Sequence, residues 1–131
     1  MGIAASAIAG LSVATYLTYV HYRPAALVCT GGGGCETVQS SDYATLAGVP
    51  VAVLGLLAYA AVLVLVAIDT PAAQLAVLVI AVSAAGFALY LVVLQAFVIE
   101  AWCVWCLVND LVIVPSLAAL AVVRIRLADA D

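Results

Sequence analysis

Residues 72–123 read AAQLAVLVIAVSAAGFALYLVVLQAFVIEAWCVWCLVNDLVIVPSLAALAVV, 52 residues in which Glu100 and Asp110 are the only charges. As one helix this stretch would extend about 78 Å at about 1.5 Å per residue, against a hydrocarbon core of about 30 Å. It must therefore turn back once. Charge and tryptophan belong at a membrane surface. Glu100, closely followed by Trp102 and Trp105, puts the turn at 99–102. The stretch then predicts two membrane spans, about 72–98 and 102–123.

Working outward, residues 50–68 form another apolar run, stopped by Asp69-Thr70-Pro71. Pro50 suits a first helical turn, where a missing N–H is no loss. Residues 3–20 are apolar apart from Ser6, Ser12, Thr15 and Thr18, and such hydroxyls can bond back to the helix backbone. No basic n-region precedes this run, and Tyr19, His21, Tyr22 and Arg23 follow it. That pattern reads as a span with an interfacial anchor and not as a cleaved leader. The expected fold is an all-α integral membrane protein: one domain over 1–131, a bundle of four transmembrane helices. A loop over about 24–49, carrying two cysteines and a short helix, joins spans one and two. Ser40-Ser41-Asp42 is the expected N-cap of that helix, which should run through Leu46.

Composition agrees. The chain is 69% hydrophobic and 8% charged, where soluble domains run at about 45–50% and about 25%. With three basic residues in all, it lacks the clustered positive charge that nucleic-acid binding needs. Its hydrophobicity excludes intrinsic disorder. Four spans put both termini on one side. Arg124 and Arg126 after the last span outvote Arg23, so the termini are expected in the cytoplasm of a plasma-membrane protein, with the loop and the Glu100 turn facing outward.

All four cysteines then fall near the outer face. Cys103 and Cys106 form a CxxC at the start of span four, where residues three apart share a helix face about 5–6 Å apart. That spacing is compatible with a disulfide, and a helix N-terminus favours thiolate. Cys29 and Cys35 bracket Thr30 and Gly31–Gly34. A linker so rich in glycine lets both thiols meet or lets one swing away. No Gly-Lys-Ser/Thr follows it, so it is not a phosphate loop. One mobile pair and one fixed pair on an oxidising face suit a thiol–disulfide relay.

These features together resemble the vitamin K epoxide reductase family in its microbial form, over nearly the whole chain. The resemblance rests on Cys29-x5-Cys35, Ser41 six residues on, Gly48-Val49-Pro50 leading to Gly55 and Tyr59, Tyr90, and the late Cys103-Val104-Trp105-Cys106. It implies a four-helix bundle around a quinone of menaquinone, ubiquinone or vitamin K type. It implies oxidation of a thioredoxin-fold, DsbA-like partner in support of disulfide-bond formation. Cys29 and Cys35 would be the loop shuttle, Cys103 would take electrons through a transient disulfide with Cys35, and Cys106 would stand nearest the quinone. Ser41 would bond a quinone oxygen or orient the reactive sulfur, with Tyr43, Tyr59, Tyr90, Trp102 and Trp105 as candidates for the pocket wall. Animal members carry an asparagine early in span two and a tyrosine four residues after the last cysteine. Val51 and Asp110 stand near those places here, which favours quinone reduction over epoxide reduction. Many microbial members carry a fused thioredoxin-like domain; with the sequence stopping at Asp131, a separate partner is expected.

Asp110 within span four is a functional candidate because an acid in lipid is costly. It can relay protons, hold water, or bond Asn109. Glu100 reads as a surface marker of the turn, His21 as an anchor, and Gln95 and Ser83 as interhelical hydrogen-bonding groups. Two rival functions differ in class. Four thiolates can hold a structural zinc, although only Arg23 lies near to offset the resulting charge. A small transporter would need an ionisable residue inside its spans, and spans one to three carry none.

Overall fold

The computed structural model describes residues 2–23, 42–46 and 48–130. Helix α1 is Gly2–Tyr22 and α2 is Val51–Ile68. Helix α3 is Pro71–Val93 and continues as a π-helical segment, Leu94–Ile99. Helix α4 has three parts: Val104–Val108, a π segment Asn109–Ile113, and Val114–Ala130. All four helices are long and apolar enough to cross a membrane.

Helix α1 packs on α2 and α4, and α3 packs on the same two, which closes a four-helix ring. The core is built largely of small and β-branched residues, among them Ala7, Ala14, Val62, Val77, Ala81 and Ala88. Lipid tails are as apolar as leucine, so helices in a bilayer associate through close packing, which small residues allow. The large side chains turn outward instead, with Leu57, Val64, Leu89 and Phe97 all exposed. In α1 the Ser12, Thr15 and Thr18 hydroxyls donate to the carbonyls of Ile8, Leu11 and Ala14 at 2.9, 2.7 and 2.7 Å. Those hydroxyls are thus satisfied within their own helix, as the sequence led us to expect.

The α2–α3 turn is made by Asp69, which closes α2 at φ +52°. Thr70 caps α3, its hydroxyl accepting from the Ala73 N–H at 3.1 Å, and Pro71 opens the helix. The Asp69 carboxylate pairs with Arg124 and accepts from Gln74 Nε2 at 3.1 Å. The late part of α4 is thereby held at the α2–α3 end of the bundle. At the opposite end Glu100 terminates α3 at φ +58°. It is exposed, so the turn falls where the charge and the two tryptophans put it.

Two local expectations need correcting. The segment after Ser41 does not form a helix through Leu46. A single 3-10 turn, Asp42–Ala44, gives way to an antiparallel bridge of β1, Thr45–Leu46, with β2, Val49–Pro50. Gly48 makes the reversal at φ +84°, a conformation open to glycine without a Cβ penalty. Pro50 lies just outside α2, as its N-cap residue. The π segment of α4 has its cause in Pro115. Proline has no N–H for the carbonyl one turn back, and its ring clashes there. Widening the preceding turn relieves both, and such π bulges are often functional.

Candidate functional site

Cys103 is the N-cap residue of α4. It is fully buried, and its Sγ accepts the Cys106 N–H at 3.4 Å. A helix N-terminus aimed at sulfur stabilises negative charge there during thiol exchange. The Cys103 N–H donates to Gln95 Oε1 at 2.9 Å. Gln95 is only 2% exposed, in the π segment of α3, so one buried amide ties the end of α3 to the CxxC turn. Ile99, Ala101, Val104, Trp105 and Cys106 surround Cys103.

Cys106, one turn into α4, lines a cleft of about 510 Å³ to which all four helices contribute. Ala14 and Leu17 come from α1, Gly55 and Tyr59 from α2, Phe87 and Gln95 from α3, and Asn109 and Asp110 from α4. The short segment before α2 adds Tyr43 and Leu46. The size and the mostly apolar lining with a few convergent polar groups match a small-molecule site.

The polar groups are ordered. The Tyr59 hydroxyl donates to Asn109 Oδ1, and Asn109 Nδ2 donates to Asp110 Oδ1 at 3.0 Å. Asp110 is 5% exposed, and its Oδ2 has no hydrogen-bond partner among the described residues. Tyr59 reaches this position because Gly10 of α1 leaves room for its ring. A Cβ built on Gly10 would lie 2.2 Å from Tyr59 Cε1 and Cζ.

The structure brings Cys106, Tyr43, Tyr59 and Asp110 to one cleft, with Cys103 directly behind Cys106. Tyr90 is not in the lining; it is half exposed, with its ring centroid 5.8 Å from that of Phe87. Trp105 packs against Tyr16 of α1 at 5.1 Å between centroids, and Trp102 is exposed at the turn. Neither tryptophan lines the cleft. His21 meets the edge of Tyr22 at the end of α1. Cys29, Cys35 and Ser41 lie outside the described residues. Sequence reading offers the Asn109–Asp110 bond and an interhelical bond from Gln95, both of which the structure forms; it misses the Tyr59–Asn109 link and Phe87 as a wall residue. Asn109 carries the one available signal, as a polar amide beside an acid inside an apolar span.

A family model described as the vitamin K epoxide reductase family matches residues 1–121. The match takes in both cysteine pairs and every residue of the cleft.

Proposed function

The chain belongs to the vitamin K epoxide reductase family, and on that premise we propose that it oxidises a reduced thioredoxin-fold partner and passes two electrons to a membrane quinone. Family and fold make it a multi-pass membrane oxidoreductase of a quinone-linked kind. The finer reading rests on one observation, the opening of Cys106 into a mostly apolar cleft that Tyr59, Asn109 and Asp110 also line.

The partner's dithiol attacks the Cys29–Cys35 disulfide and leaves oxidised. The loop dithiol then reduces the Cys103–Cys106 disulfide through a transient Cys35–Cys103 bond. Each exchange moves two electrons and conserves one disulfide. A quinone held in the cleft, when bound, accepts two electrons and two protons as Cys103 and Cys106 close their disulfide again. Cys106 faces that acceptor; Tyr43, Tyr59 and Asp110 line its site. The Gln95 carbonyl holds the CxxC turn in place during the exchange. The direct test is quinone reduction by the purified protein with a reduced DsbA-like substrate. No quinone consumption with any such substrate would defeat the reading.

Ser41 lies two residues before Tyr43, which lines the cleft. On the family resemblance its hydroxyl would donate to a quinone oxygen as negative charge develops there. Donors of this kind contribute on the order of 3 kcal/mol at most. Ser41→Ala should slow quinone reduction roughly ten- to a hundredfold and leave exchange with the partner almost unchanged. A lowered melting temperature with unaltered quinone kinetics would make Ser41 a local cap instead.

The proposed orientation places the cysteine end outside, with the Asp69–Arg124 end and the termini in the cytoplasm. A membrane-impermeant thiol reagent should label reduced Cys29 or Cys35 in intact cells. Labelling only after the membrane is opened would reverse the orientation.

A further inference from the structure

We propose that Asp110 is the proton donor of the cleft, a carboxylic acid held with its proton on Oδ2 and aimed at the ligand oxygen. Asp110 Oδ1 accepts from Asn109, while Oδ2 is buried without a partner among the described residues. Buried polar atoms are paired in the great majority of cases. A bare anionic oxygen in an apolar cleft carries a large desolvation penalty. A carboxyl oxygen bearing its own proton needs no donor from the protein and becomes a donor itself.

The surroundings hold the group in that role. Asp110 sits in the π segment, where the widened backbone turns both Asn109 and Asp110 into the cleft. Tyr59 fixes Asn109, and Asn109 orients the carboxyl. An amide does not conduct protons readily, so Tyr59 and Asn109 are positioning residues and the proton must come from elsewhere. Cys106 lies four residues before Asp110 on the same wall of the cleft, and residues so spaced on a helix are neighbours. Among the described residues, no other acid and no histidine lines the cleft.

The balance closes on this reading, whose last step rests on the quinone site proposed above. Closing the Cys103–Cys106 disulfide releases two electrons and two protons, the complement that converts a quinone to its hydroquinone. Asp110 gives the Oδ2 proton to the nearer quinone oxygen and takes its replacement from the Cys106 thiol. The Cys103 thiol supplies the second proton of the hydroquinone. Electrons and one proton thus leave the same sulfur by separate routes.

The test has two arms. Infrared spectroscopy of the purified protein, without quinone and at neutral pH, should show a protonated-carboxyl C=O band that Asp110→Asn removes. This arm does not depend on the quinone reading; a band unchanged by the substitution overturns the proposal. The second arm compares wild type, Asp110→Asn and Asp110→Glu for quinone reduction, its solvent isotope effect, and quinone binding by tryptophan quenching. Asp110→Asn should bind quinone within about threefold of wild type yet reduce it roughly a hundredfold more slowly or worse, and the isotope effect should change with it. Asp110→Glu should recover part of the rate. Normal turnover by Asp110→Asn, or loss of binding in place of rate, overturns the donor role. Absence of quinone reduction by wild type would instead defeat the proposed function while leaving the infrared result standing.

Discussion

Cys106→Ala should abolish quinone reduction while a mixed disulfide between the partner and the loop cysteines still forms. Cys106 is the one cysteine in the cleft lining among the described residues. Cys103 is fully buried behind it, enclosed by Ile99, Ala101, Val104 and Trp105. Electrons bound for the cleft therefore leave through Cys106, and its removal also takes away the CxxC partner with which Cys103 closes its disulfide at the end of the cycle. Activity should fall to the background of the uncatalysed reaction, because among the described residues no other group in the lining can supply a two-electron thiol couple. Stability should change little, since a half-buried sulfur is exchanged for a methyl group and such changes are usually about 1 kcal/mol. Stopped-flow quinone consumption and non-reducing electrophoresis of the partner complex read the two steps separately. Replacing Cys103 and Cys106 together should leave Cys29–Cys35 reducible by the partner but unable to reoxidise. Normal turnover by the single variant would overturn the assigned order.

The four spans were legible because bilayer thickness demands about 20 apolar residues per crossing, a signal too strong for local detail to mask. The turn after α3 was legible for a similar reason: Glu100 and Trp102 have only one favourable place near a membrane. Its conformation was not, since nothing in Ile99-Glu100-Ala101 announces a positive φ at Glu100. Gly48 illustrates the opposite case. It stood in the sequence as a turn residue, yet the Ser-Ser-Asp stretch suggested a cap and the hairpin was read as helix. The bridge of Thr45 with Pro50 and Leu46 with Val49 is only two pairs long, too short for alternation to reveal.

For the site, the cysteine spacing carried the chemistry, and the family resemblance named Cys106, Tyr43 and Tyr59, which meet Asp110 at one cleft. Tyr90 does not join them: it stands half exposed, outside the lining, although it shares the helix phase of Val79 and Ser83, which are in it. The Tyr59–Asn109 bond joins residues 50 apart, and no local pattern encodes such a pair. It depends on a π bulge that Pro115 induces and on a gap that Gly10 leaves. Neither effect shows in a hydropathy profile, because both concern one hydrogen bond or one methyl group.

Gly10→Ala tests that dependence and should have the largest effect on stability. The added Cβ would lie 2.2 Å from two atoms of the Tyr59 ring, well inside van der Waals contact. Relief by a simple side-chain swing is blocked. Tyr59 is 5% exposed, and its hydroxyl is held by Asn109. Either α1 moves off α2, or the ring moves and Asn109 loses its donor. Overpacking of this kind destabilises by about 1–3 kcal/mol, and the higher figure is expected where α1 and α2 make their most extensive contact. If the ring yields, Asn109 and Asp110 lose their orientation, and quinone reduction should fall together with the melting temperature. The double variant Gly10→Ala/Tyr59→Ala separates the causes. With the ring gone, the Gly10 change should cost almost nothing beyond Tyr59→Ala alone, giving a coupling close to the whole single-variant effect. Additive losses across the cycle would mean that Gly10 serves the helix backbone and not the tyrosine. Quinone kinetics left intact by a destabilising Gly10→Ala would mean that α1 yields and the Tyr59 ring stays in place.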